Sequence, residues 1–399
     1  MGVRFDFCPF FNPGETIAWT ETASMMRRQT ALAEEAGFTT VWLTEHHFAH
    51  NGYLNAPPNP ILMSADLAAR HSRIRVGQAP VVLPDWHPLR VAEDIALLDN
   101  LSDGRVDFGA ARGTNERAGI QFNLDADKRD DKRSYALFRE CLDIVTRAWT
   151  EDPFRHEGEF YRFPVPGWKE TNRMFLPHDP RYHAPDGEYI GMYVHPRPVQ
   201  RPHPPTWLMS NAPFTFEFAG RSGYGCIAMA SPIGGIRACW QAYLEAAHAA
   251  GRTSLGLGEN VGMCTAIYVA DTMEEAARTI RPAINTYYEL LSGVRPNGEW
   301  MKRAYLAPGE ELTAADAEAD WFDFLSARDV IWIGTADHVA EKLQRYVDEV
   351  SLSQVMLLQQ FPGVRLEQIL GSMERFAERV MPRFAPSPPT RPECEPVPC

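Results

Sequence analysis

Short apolar runs alternate along this chain with longer segments whose apolar residues recur every three to four positions. "VRFDFCP" at 3–9 has the pattern of a strand, and "TETASMMRRQTALAEEAG" at 20–37 has the period of a helix that stops at Gly37. The same couplet returns as "TTVWLTE" with "NPILMSADLAARHS", then as "IRVGQAPVVL" with "PLRVAEDIALLDNLS". In the third helix Val91, Ile95 and Leu98 share one face. "GRVDFGAAR" precedes a helix over 132–150 that aligns Leu137, Cys141, Ile144, Val145 and Ala148. Further on, "TWLMS", "GCIAMA" and "NVGMCTAIYVA" are strands followed by helices, and "SQVMLLQQF" is a last strand before a helix over 364–380. Thr335 is placed to cap the helix that carries Val339, Leu343, Tyr346 and Val350. Eight strands alternating with helices predict an α/β fold with a parallel sheet closed as a single (β/α)8 TIM-type barrel. An open doubly wound sheet is the alternative. The first strand is not followed by GxGxxG, which argues against a dinucleotide-binding version of it.

The rhythm breaks twice. After a hairpin-like "FRHEGEFYRFPV", residues 164–205 are Pro-rich and aromatic without a clear period, and 293–327 form a second irregular excursion. The predicted organisation is one barrel domain over 1–384, with these two insertions and a Pro-rich tail at 385–399.

Composition narrows the function. Of 399 residues, 39 are Lys or Arg and 52 are Asp or Glu, a formal charge of −13 that disfavours nucleic-acid binding. No run approaches the ~18 apolar residues a membrane helix needs, and the N-terminus lacks a signal-peptide pattern. Seven scattered cysteines without CxxC spacing suit a reducing compartment, so a cytoplasmic protein is expected.

In such a barrel the chemistry sits at the C-terminal ends of the strands. Glu45, His46 and His47 fall there after the second strand, and Arg112 after the fourth. Ser210 and Asn211 follow the fifth strand, Thr215 lies one turn into the next helix, and His87 opens the third helix. Each has a plain reading as a loop, ion-pair or capping residue. Together, Arg112 and the helix start at 210–215 make a site for a phosphate monoester, with a guanidinium fork and a positive helix end. Adjacent strand residues face opposite ways, so His46 and His47 do not readily share one metal ion, and no metal is expected. A Ser-His-Asp hydrolase is weaker still without GxSxG.

"FNPGET", "LTEHHF", "VGQAPVVLPDWHPLRVAEDIALLDNLSDGRVDFGAARG" and "SNAPFTFEFAG" resemble the bacterial luciferase-like flavin-dependent monooxygenases, most closely their alkanal monooxygenase branch. The likeness runs through most of 1–235 and returns in "WIGTADHVAEKL" and the last strand and helix. It implies a barrel that takes reduced FMN (FMNH2) from a separate NAD(P)H:flavin reductase and oxygenates a small organic molecule with O2 through a C4a-peroxyflavin. By position, His46 matches the family's catalytic proton-transfer histidine, Arg112 the arginine on the FMN phosphate, and Asn211, Ala212 and Thr215 further phosphate contacts beside Ser210. Glu45 is expected at the cofactor or fixing the orientation of His46. The family's cis peptide beneath the flavin ring falls at Ala79–Pro80, which is therefore expected to be cis. The family's reactive cysteine is replaced by Ala111, and Asn211 and Ala212 stand where Glu and Ser are common, departures that speak against bioluminescence and a long-chain aldehyde. Both insertions are candidate lids, with Trp300, Tyr305, Trp321 and Phe322 lining the second. A homodimer is implied. The alternatives are an F420-dependent oxidoreductase of the same superfamily and a non-catalytic flavin-binding subunit.

Overall fold

The structure is a computed structural model that describes residues 2–9, 17–48, 56–113, 116–171, 179–292 and 299–385. The FNPGET segment, Thr114 and Asn115, the Trp300 side chain, and the tail from 386 with Cys394 and Cys399 lie outside the described residues.

Eight strands form the barrel: β1 Arg4–Cys8, β2 Thr40–Leu43, β3 Arg75–Gln78, β4 Val106–Ala111, β5 Thr206–Met209, β6 Gly225–Met229, β7 Val261–Val269 and β8 Gln354–Leu358. Every neighbouring pair is parallel, and the sheet closes where β7 pairs with both β6 and β8 and β8 pairs with β1. Closure leaves no open edge, which is the expected solution for eight βα units. The principal helices are α1 Trp19–Ala36, α2 Pro60–Arg70, α3 Pro88–Leu101, α4 Asp131–Thr150, α5 Pro213–Ser222, α6 Ile233–Ala249, α7 Met273–Ser292, α8 Ala336–Val350 and α9 Leu366–Arg379. α1 stops at Gly37, whose φ of 86° is costly for any residue with a Cβ. Thr335 caps α8 as predicted, accepting the His338 N–H.

The strand-entry end of the barrel is closed by a buried polar layer. Arg4 donates to Asp6, Thr40 and Asp107, Arg75 donates to Asp107, and Trp42 and Gln354 donate to Asp6. Burial pushes the Asp107 carboxyl up, but Arg4 and Arg75 outweigh it and hold it below the usual range. Fully paired, these charges avoid the penalty of bare ions in the core. Gly77 is required beside them, since a Cβ there would lie 2.5 Å from the Trp42 ring.

Sequence periodicity missed several elements. A helix Glu116–Phe122 lies between β4 and α4, and a strand Trp332–Gly334 pairs with the far end of β7; the strand read over 74–83 is divided, and its second part, Val81–Val82, pairs with β4. The region read as irregular also holds short helices Ala314–Glu318 and Trp321–Ser326. These pieces are too short to show a period.

The two insertions differ in position. β7 outruns its neighbours: 261–266 pair within the barrel, and 267–269 pair with 332–334 beyond it. The second excursion is therefore rooted at the strand-tip end, and Tyr287 of α7 packs 6.2 Å from Phe361, just past β8. The first excursion returns at the other end. Gln200 donates to the carbonyl of Val106, the first residue of β4, and Arg197 donates to the carbonyls of Ala148 and Glu151 at the end of α4. The hairpin ahead of it, His156–Glu157 with Arg162–Phe163, reaches the start of α3, where Tyr161 and Phe163 pack on His87. The stretch that feeds β5 belongs to the entry end, because an αβ connection must start where its helix finishes.

Candidate active site

β2 delivers Thr44 to His47 to the strand-tip end. Glu45 is 4% exposed. Its Oε1 accepts from His47 Nε2 at 2.7 Å and from Trp86 Nε1 at 2.9 Å, and its Oε2 accepts the Val82 N–H at 3.0 Å. One carboxylate thus ties the loop after β2 to the turn before α3. Both oxygens of Glu45, expected at the cofactor, accept from protein donors. The neighbour it orients is His47, not His46. His46 is half-buried, and its backbone N–H donates to Pro57 O at 3.2 Å.

His47 packs edge-on against Phe122 at 4.7 Å between ring centroids, and Phe122 stacks on Phe48 at 5.3 Å. Asp85 completes the group: ligating atoms of Glu45, His47 and Asp85 all lie within 4.8 Å of one another. Sequence reading did not single out Asp85, which is 40 positions from Glu45 and matches no motif. Burial and the facing Glu45 carboxylate push Asp85 up to about 7, against the pull of Lys128 and His47. Burial also pushes Glu45 up, while its three N–H donors pull it back. Glu45 receives N–H groups on both oxygens, which suits orienting a ring better than gripping a cation.

Between β2 and β4 the Ala79–Pro80 peptide is cis, as the resemblance implied, and Val81 and Val82 then pair with Ala110 and Ala111. Ala79 N donates to Leu43 O at 2.7 Å, which joins this bend to the tip of β2.

Arg112 follows β4. Nη1 alone carries its hydrogen bonds among the described residues, to the carboxylate and carbonyl of Asp131 and to Ser134 Oγ. Its Nε and Nη2 edge carries none of them. Its guanidinium lies 5.8 Å from the Tyr135 ring centroid, and Tyr135 lies 6.0 Å from Phe214 at the start of α5. β4 and β5 are paired, so Arg112 and the α5 N-terminus are brought together as predicted. The N-cap of α5 is Ala212, without a side-chain cap bond, and Pro213 follows it. The first N–H groups of a helix lack intrahelical acceptors, so an uncapped start beside a guanidinium is suited to an anion.

The other residues expected there behave differently. Asn211 exchanges two hydrogen bonds with the Met229 backbone, 2.8 Å from Nδ2 to O and 2.7 Å from N to Oδ1, so its amide ties β5 to β6. Ser210 Oγ accepts the Ala212 N–H at 3.1 Å, and Thr215 N donates to Ala212 O at 2.9 Å. Neither caps the helix.

The profile of the luciferase-like monooxygenase family matches residues 5–351, and the chain belongs to that family. A flavin-dependent trigonelline monooxygenase, oxygenase component, of Acinetobacter baylyi is 27% identical over 369 residues, which cover 89% of this chain and 88% of that relative. The monooxygenase RslO1 of Streptomyces bottropensis superposes with a TM-score of 0.76 at 25% identity, covering 96% of this chain and all of its own (100%). The oxygenating constituent of the 3,6-diketocamphane monooxygenase of Pseudomonas putida, a type II Baeyer–Villiger monooxygenase solved with FMN, has a TM-score of 0.74 at 20% identity. It covers 97% of this chain and 100% of its own, and at that identity shows the fold alone. Among the described residues no helix is long and apolar enough to cross a membrane.

Proposed function

We propose that this protein is the oxygenase component of a two-component flavin-dependent monooxygenase. It receives reduced FMN from a separate NAD(P)H:flavin reductase and oxygenates a small organic substrate with O2. The observation that carries this reading is Arg112, whose Nε–Nη2 edge carries no hydrogen bond among the described residues, beside the uncapped start of α5, on the strand-tip face that also holds His46. Family membership and the flavin-dependent relative support it. Reduced flavin, when bound, supplies the oxygen-activating chemistry. The protein's part is to hold and shield it and to manage protons. Arg112 and the Phe214 N–H in the first turn of α5 would take the phosphate. Ala79 and Pro80 give the ring a carbon-lined wall at the tip of β3. His46 would take and return a proton at the reacting face through its imidazole. The excursion rooted on β7 would exclude water, with Tyr305, Trp321 and Phe322 in its apolar cluster.

The test compares FMN with riboflavin, which lacks the phosphate. Arg112→Ala removes a charged hydrogen bond worth about 1.5–3 kcal/mol, so FMN binding should weaken by roughly ten- to a hundredfold. Riboflavin binding should stay level. Equal FMN affinity in parent and variant, measured by anaerobic titration, rejects the phosphate site.

A further inference from the structure

We propose that Glu45, His47 and Asp85 act as one proton-holding unit beside His46, with His47 as the relay and Asp85 as the group on which the proton rests. Glu45 and Asp85 are then positioning residues for the acid–base step, and this role rests on the oxygenase reading above.

The geometry carries the argument. The three groups come from the loop after β2 and the turn before α3, and their polar atoms lie within 4.8 Å of one another. The Glu45 side chain is fully buried (0% exposed), and that of His47 is 12% exposed. Glu45 fills its lone pairs with three N–H donors, which favours its ionised form. Asp85 accepts no hydrogen bond among the described residues, so nothing there favours its ionised form in the same way. Two carboxylates this close do not both ionise readily, and the better-solvated one keeps the charge. Here hydrogen bonds play the part of solvent, so Glu45 stays charged and Asp85 takes the proton. The cationic groups facing the cluster are Lys128, from the segment before α4, and His47 itself. Packing limits motion on that side: a Cβ on Gly119 would sit 3.3 Å from Asp85 Oδ1, and one on Gly113 would sit 3.2 Å from Lys128 Nζ.

The step conserves one proton. With Nε2–H held on Glu45, His47 exchanges its proton at Nδ1. The Asp85 O–H bond breaks as an Nδ1–H bond forms, leaving the carboxylate beside Lys128. The proton then leaves Nδ1 for an acceptor on the active face, and the reverse sequence stores one. Ligating atoms of the three residues lie within 4.8 Å of one another, and a single water or a small side-chain rotation joins Asp85 to Nδ1 in this step.

The experiment uses the full chain without flavin, labelled with ¹³C at aspartate carboxyls and ¹⁵N at histidine rings, and followed by NMR across pH 4–9. Asp85 should titrate at about 7 rather than the ordinary 3.8. The His47 ring ¹⁵N signals should respond to the Asp85 deprotonation, and Asp85→Asn should abolish that response. In the loaded enzyme, Asp85→Asn should move the acid limb of the turnover pH profile by about one pH unit, while a role confined to packing would scale the profile without moving it. An Asp85 carboxyl titrating near 4 in the parent overturns the proposal whether or not the variant folds. So do His47 ring signals that Asp85→Asn leaves unchanged. Failure of the oxygenase reading is seen separately, as FMN binding indifferent to Arg112→Ala.

Discussion

Among single residues, the two adjacent imidazoles after β2 have separate duties. His47 is gripped through Nε2 by Glu45 and packed on Phe122, whereas His46 is held through its backbone at Pro57. A ring fixed on one nitrogen is suited to relay, and its neighbour to contact with substrate or cofactor. His46→Ala is expected to lower coupled product formation, assayed with a flavin reductase, by ~10²–10⁴-fold. Its thermal unfolding should match the parent. Undiminished turnover in that variant removes His46 from the acid–base role. The motif made all three residues visible, but not which of them Glu45 holds. That pairing depends on Val82 and Trp86, which reach Glu45 only after the chain has turned through β3.

Among elements, the join between α1 and β3 is governed by one carboxylate. Glu34, in the last turn of α1, accepts the N–H groups of Ser72, Arg73 and Ile74 at 3.0, 2.7 and 3.1 Å, and pairs with His71 at 3.2 Å. Burial alone would raise its carboxyl. The Arg73 and Ile74 amides and His71 outweigh that and bring it to about 2, from an ordinary 4.5. A depressed carboxyl stabilises the fold fully above pH 4.5, and that stability is lost as pH falls towards 2. Glu34→Gln should therefore cost about 1.5–3 kcal/mol at pH 7, read from urea unfolding, and much less near pH 2. An equal cost at both pH values shows that charge plays no part. The sequence marks the end of α1 through Gly37, but nothing in it marks Glu34 as the clamp on a turn almost 40 residues away.

The whole molecule presents large apolar side chains on one pair of neighbouring helices: Leu62 of α2 is 70% exposed, and Leu97 and Leu101 of α3 are 48% and 66% exposed. Leu97 and Leu101 are one helical turn apart and share a face. We infer that two copies pair through α2 and α3. Light scattering should give a dimer for the parent and a monomer for the double variant Leu97→Glu, Leu101→Glu. A parent that is monomeric at micromolar concentration refutes the pairing. Leu97 and Leu101 fall roughly 100° round the helix from the buried Val91, Ile95 and Leu98, and only the fold shows how far that side is exposed.

The sequence by itself determined the eight βα units, their closure into a barrel, the end of the barrel that carries chemistry, and Arg112 and His46 as residues of that end. Periodicity and strand-tip position are local properties, and they survive in a linear reading. Tertiary structure alone decided what each polar group spends its hydrogen bonds on. The Asn211 amide is tied to Met229, Glu45 holds His47, and Asp85 lies beside Glu45 and His47 without any motif to announce it. It also decided that the chain from 197 to 206 lies at the entry end and that the β7 excursion lies at the tips. The physical reason is the same in each case. A carboxylate or amide satisfies its lone pairs with whichever donors folding brings within about 3 Å, and those donors are distant in the chain.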